Sequence, residues 1–254
     1  MYEICPKCHY QRQSHEQNDP DIYRGCDIFF SSWLKAQLST AEPEIQNSDT
    51  QCTSRINILS FLSTWLFNTD DKTSPVIFCG RVMLFVGLLF CSWKFIQMDF
   101  VLNPFQNSRS YMHNIDLIFH EAGHILFMPI GRFMTILGGS LFQLIMPVIV
   151  MLTFLIKNKN PFGASVGLWW TGQSLMDLAP YIDDAIDQKL ILPGGLIGAD
   201  APGNHDWGNI LIDLDMLERH SQIATFADSG GVFIMALALV WGGFLPYKQY
   251  LNQS

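Results

Sequence analysis

The chain is 254 residues long, 49% hydrophobic and 13% aromatic, with only 15% charged residues and a net charge of −8. A charged fraction well below the roughly 25% of soluble domains points to a membrane protein, and the acidic balance excludes a nucleic-acid partner, which would need clustered Lys and Arg. Length alone permits one large domain or two small ones.

The N-terminus, MYEICPKCHYQRQ, carries charge and cysteine where a secretory signal needs a basic start and a continuous apolar core, so no cleaved signal is read. Within it CPKCHY offers half of a zinc ribbon, the thiolates of Cys5 and Cys8. The second half, YRGCDIFF, adds Cys26 alone, because Tyr23 stands where a third cysteine belongs. His9 or His15 can complete a zinc site; a metal-free ribbon is the alternative. Residues 1–40 are therefore expected to be a degenerate ribbon-like segment and 41–75 a linker. The linker ends in RINILSFLSTWLF (Arg55 to Phe67), which reads as an amphipathic helix at the membrane surface or as a partner helix.

From Val76 the character changes. Apolar segments run over about Val76 to Met98, Asn114 to Gly131, Phe133 to Ile156, Gly163 to Asp184 and Gly231 to Tyr247. Each is close to the roughly 20 residues of a spanning helix. The expected fold is thus all-α, a polytopic transmembrane bundle of about five spans over residues 76–254. Arg81 and Lys94 lie near enough to the ends of the first span to snorkel. Lys and Arg divide evenly between the two sides, and the cysteines place the N-terminus in the reducing cytoplasm. Ala185 to Gly230, rich in Gly and acid, reads as a long functional loop, a lid or substrate gate.

The second segment carries His120, Glu121 and His124 as HExxH. On a helix, residues four apart share a face, so both imidazoles can reach one zinc ion. Two such ligands and a third from the protein leave one position for water, and Glu121 is placed to take its proton as it attacks a carbonyl. Ionisable groups inside a membrane helix each cost some kcal/mol of desolvation and mark a functional site; histidines satisfied by neighbouring helices are the alternative. Candidates for the third ligand are Asp177, Asp183 and Asp184 in QSLMDLAPYIDDA, and His205 or Asp206 in GNHDWGN. If the segments alternate in direction, His124 and Asp177 each lie about 10 Å from the same face, so depth favours Asp177. Asp184 shares that helical face but sits at the surface. His205 lies in the loop that can fold back over the metal, as a ligand or as a donor near it. Gly123, and Gly138, Gly139 and Ser140 in LGGSLFQLIMP, are small residues that let helices close on one another.

FHEAGHILFMPIG, LGGSLFQLIMP, WWTGQSLMDLAPYIDDA and HDWGNIL together resemble bacterial membrane proteins close to the site-2-protease-like intramembrane zinc metallopeptidases, which often carry an N-terminal zinc ribbon. The resemblance implies His120 and His124 as zinc ligands and Glu121 as base; LMDL around Asp177 stands where those proteases have LDG. It also implies a bacterial inner-membrane location, contact with membrane lipids and a membrane-anchored protein substrate cut in or near the bilayer. The alternative is a catalytically inactive metal-binding scaffold that binds client helices, in which Glu121 would have no task. Di-iron oxidation would call for more clustered histidines than the seven scattered here.

Overall fold

The computed structural model describes residues 22–23, 28–29, 65–67, 74–97, 110–192, 195–200 and 203–253. The chain divides into two compact units, Met1–Ser54 and Arg55–Ser254. In the first, β1 (Ile22–Tyr23) pairs antiparallel with β2 (Ile28–Phe29), Ile22 opposite Phe29 and Tyr23 opposite Ile28. Cys5, Cys8, Cys26, His9 and His15 lie outside the described residues, as does most of the expected amphipathic helix.

The described part of the second unit is all-α. Six helices follow one another: α1 (Pro75–Ile96), α2 (Tyr111–Phe127), α3 (Arg132–Leu152), α4 (Pro161–Asp183), α5 (Asp206–Asp213) and α6 (His220–Gln253). Three stretches, Pro75–Ile96, Arg132–Lys157 and Leu217–Asn252, are long and apolar enough to cross a membrane. Local chemistry sets the boundaries. The Ser110 hydroxyl accepts from the His113 amide at the start of α2, and the Asn160 side chain accepts from the Gly163 amide at the start of α4, where Pro161 costs no hydrogen bond. Between α2 and α3, Pro129 lies in a single tight turn and Gly131 adopts φ of +118°, a conformation that only glycine takes without strain. Helix α3 ends in a wider, π-type turn over Thr153–Lys157.

Helix α4 is buried nearly all round, from Pro161 to Ile182. It packs most extensively on α6, and also on α3 and α2. Enclosed by protein, α4 has no need of a fully apolar surface and holds polar residues, whereas α2 turns its polar residues towards α3 and α4 and exposes Ile115, Ile118, Ile125 and Leu126 on the other side. Small residues let these helices meet. A Cβ at Gly123 would run into the Gly138 carbonyl, and one at Gly172 would lie 2.7 Å from the Gly231 carbonyl oxygen. The expected role of Gly123 and Gly138 in close packing is what the crossing of α2 and α3 displays.

One expectation needs correcting. The last helix does not begin at Gly231: it starts at His220, so the segment expected as loop to Gly230 is shorter and contains α5 as well. Polar residues in HSQIATFADSGG hid the first turns, yet Ala224 and Ala227 are buried against α4, with Leu178, Ala179 and Ile182. Arg81 lies near the end of α6. Its guanidinium donates to Gln249 Oε1 at 3.1 Å and lies over the Phe162 ring. The chain at Leu66 and Phe67 docks on α6, where Trp241 and Lys248 donate to their carbonyls at 2.9 and 2.8 Å.

Candidate metal centre

His120 and His124 project from the same face of α2, ring centroids 4.9 Å apart. Their Nε2 atoms both point at one oxygen of Asp206, at 3.0 Å from His120 and 3.3 Å from His124. His120 is buried, His124 and Asp206 half-buried, and the three form a group whose ligand atoms are close enough to hold a metal ion. On the opposite ring edge, His124 Nδ1 lies 2.8 Å from the Thr135 carbonyl oxygen and His120 Nδ1 lies 3.1 Å from Gln143 Oε1. Helix α3 therefore braces both rings from behind. It can come so near because residue 139 is glycine: a Cβ there would lie 2.7 Å from both Nε2 atoms.

Asp206 reaches the pair from outside the long helices. It is the first residue of α5. The preceding residue, His205, caps that helix by accepting from the Gly208 amide with Nδ1, and its ring packs against Tyr181 at a tilt of 47°, centroids 4.5 Å apart. Three further ties fix α5. Trp207 Nε1 donates to the Ser140 hydroxyl at 3.1 Å, the Asp206 amide donates to the Tyr181 hydroxyl at 3.0 Å, and Arg132 pairs with Asp213 at 2.7 Å. Burial resists charge on Asp206, but when His120 and His124 are protonated at Nε2 their hydrogen bonds outweigh it and hold the carboxyl at about 2.

The sequence-predicted residues thus separate into three groups. His120 and His124 meet as expected. Asp177, favoured by depth, is instead engaged elsewhere: His113 Nδ1 lies 3.1 and 3.0 Å from its two oxygens and Gln143 Nε2 donates to Oδ2 at 3.2 Å. Asp184 receives the amides of Lys189 and Leu190 and faces His205 Nε2 at 3.4 Å. Neither Asp177, Asp184 nor His205 belongs to the metal-competent group, and Asp206 takes the third place. The depth argument fixed a level in the bundle but not a direction around the helix, and Asp177 turns towards His113. The loop does fold back over the site, but it presents the residue after His205. Glu121 is exposed on α2, directly after His120.

The Asp184–His205 pairing positions the ligand-bearing helix, since it holds the segment immediately before Asp206. Asp184→Ala removes the carboxylate that faces the buried His205 Nε2 at 3.4 Å and that accepts from the Lys189 and Leu190 amides, a loss of about 1–3 kcal/mol. The expected result is faster hydrogen exchange throughout α5 in the variant, with the amides of α4 and α6 unchanged.

Comparison with known proteins finds no matching family model, no matching curated protein and no matching solved structure.

Proposed function

We propose that this chain is a zinc-dependent membrane-embedded metallopeptidase, similar to the site-2-protease-like enzymes, that hydrolyses a peptide bond of a membrane-anchored protein in or near the bilayer. In this reading α1, α3, α6 and the exposed apolar side of α2 face lipid, α4 is a span enclosed by them, and the N-terminus lies in the cytoplasm of a bacterial cell.

One observation carries the reading: the convergence of two imidazole Nε2 atoms on a single carboxylate oxygen. The Thr135 carbonyl and the Gln143 side-chain oxygen accept hydrogen bonds only, so each histidine carries a proton on Nδ1. Neutral rings then present two Nε2 lone pairs to a carboxylate, three acceptors with nothing between them. Protons can fill the gap by charging both rings; a divalent cation fills it without charging either. Two imidazoles and a carboxylate are a donor set that suits zinc, and backing each ligating ring with an acceptor is the usual support of such a site.

Bound zinc would supply Lewis acidity for a scissile carbonyl. The chain supplies the rest. Glu121, one residue from His120 and exposed, is the proton acceptor for the attacking water and afterwards donor to the leaving amine. Tyr181, 3.3 Å from Asp206 Oδ2, holds the acid in place. Glu121→Gln is expected to leave the metal content unchanged and to lower cleavage of membrane-anchored substrates by about 10²–10⁴-fold. Measuring bound metal and cleavage in wild type and variant tests this. Metal in both proteins with cleavage in neither identifies a binding scaffold instead, and metal in neither ends the proposal. Because protons and metal compete for the same Nε2 atoms, zinc affinity should fall as pH is lowered, with proton release on binding measurable by calorimetry in buffers of different ionisation enthalpy.

A further inference from the structure

Asp177 has a definable task in the metal centre although it does not touch it. A carboxylate accepts hydrogen bonds only, so the Gln143 group that faces Asp177 Oδ2 at 3.2 Å is the –NH2. That fixes the amide's orientation and turns Oε1 towards His120 Nδ1 at 3.1 Å. An oxygen there accepts only, so the His120 ring proton sits on Nδ1 and the lone pair on Nε2, the atom that faces Asp206. With Gln143 turned over, an N–H would face Nδ1, the ring proton would move to Nε2, and His120 could no longer bind a cation through that atom. Gln143 is 3% exposed and Asp177 6% exposed, so bulk water is a poor substitute partner for either. His113 holds the carboxylate from the other side. His124 needs no such arrangement because its partner is a backbone carbonyl, which cannot turn over.

We infer that Asp177 is a positioning residue which, through Gln143, selects the tautomer of His120 that can ligate the metal. The inference rests on the metal-binding half of the proposed function and is independent of proteolysis.

The experiment compares wild type, Asp177→Asn, and the exchange variant Gln143→Glu with Asp177→Asn, each purified in detergent. Zinc affinity is measured by competition with a chelating dye, and the His120 ring nitrogens are read by 15N NMR of the metal-free proteins. Asp177→Asn is isosteric but can donate as well as accept, so Gln143 loses its fixed orientation. The expected result is a mixture of His120 tautomers and a loss of affinity of about tenfold or more. The exchange variant restores an acceptor-only group opposite Nδ1 while keeping total charge and volume, so it should recover the wild-type tautomer and most of the affinity. A purely structural role predicts the opposite order, with the double change worse than the single one. The inference is overturned if Asp177→Asn keeps the wild-type tautomer and affinity, or if the exchange variant recovers neither. Wild type that binds no zinc overturns the metal reading instead, and that result is visible before any variant is made.

Discussion

Asp206→Ala is expected to abolish metal binding at the proposed site while leaving the long helices assembled. The carboxylate is the third arm of the site and its Oδ2 is the common target of both Nε2 atoms. Structural zinc sites of four ligands bind with about 10–16 kcal/mol, so one arm is worth on the order of 3 kcal/mol, or roughly a hundredfold in affinity. Removing it should also free α5, because the two imidazole contacts go with it. Metal analysis of the purified variant and chelator competition provide the check. Asp177→Ala is the instructive control. If the favoured sequence candidate were a ligand after all, its loss would match that of Asp206; the geometry predicts a smaller effect.

Gly139→Ala is the second large expected effect, and its sign is unusual. Alanine is the better helix former by about 1 kcal/mol, so on helix propensity alone the change should stabilise α3. Here the new Cβ would lie 2.7 Å from the Nε2 atoms of both His120 and His124 and from His124 Cε1. The rings must swing aside or the helices must part, and either movement scatters the ligand atoms. Metal binding should fall by about two orders of magnitude or more, comparable to the loss of a ligand. Thermal unfolding of the metal-free variant should stay close to that of metal-free wild type, because ends of side chains, rather than backbone, absorb the contact. Gly123→Ala behaves differently. Its Cβ would meet the Gly138 backbone, so it should weaken the helix pair itself, by roughly 1–3 kcal/mol, whether or not metal is present. Comparing the two variants with and without a chelator separates the two roles.

These roles divide along the line of what periodicity can report. The HExxH spacing places two imidazoles on one face whatever surrounds them, and the helices that carry the apolar segments follow from composition and length. The small residues of LGGSLFQLIMP were legible as a packing surface, and Gly138 fills that role. Gly139, next to it, does something the pattern does not distinguish: it makes room for the histidine rings. Asp206 was among the carboxylates to choose from, but the argument that ranked Asp177 first measured depth along helices, and a loop has no fixed rise per residue. A local signal was nonetheless present. His205, Asp206 and Trp207 open a short helix directly after a Gly- and Pro-rich stretch, where a cap, an acid and an aromatic anchor are what a docked loop needs. Gln143 was unreadable for another reason. A lone amide on an apolar helix is informative only when both its partners are known, and those partners come from α2 and α4. The start of α6 was obscured because hydropathy registers lipid exposure, whereas Ala224 and Ala227 face protein.

The delivery of Asp206 by a segment outside the long helices sets an order of events during biogenesis. A nascent chain halted after α4 already holds His120, His124 and the bracing groups of α3, yet lacks the acid needed to complete the donor set. On the proposed metal-dependent reading, loading would be a late step, gated by translation of the α4–α6 connection and its closure onto Ser140 and Tyr181. On that reading, the half-built protein carries a proton acceptor beside two histidines without the means to use it until the connection closes.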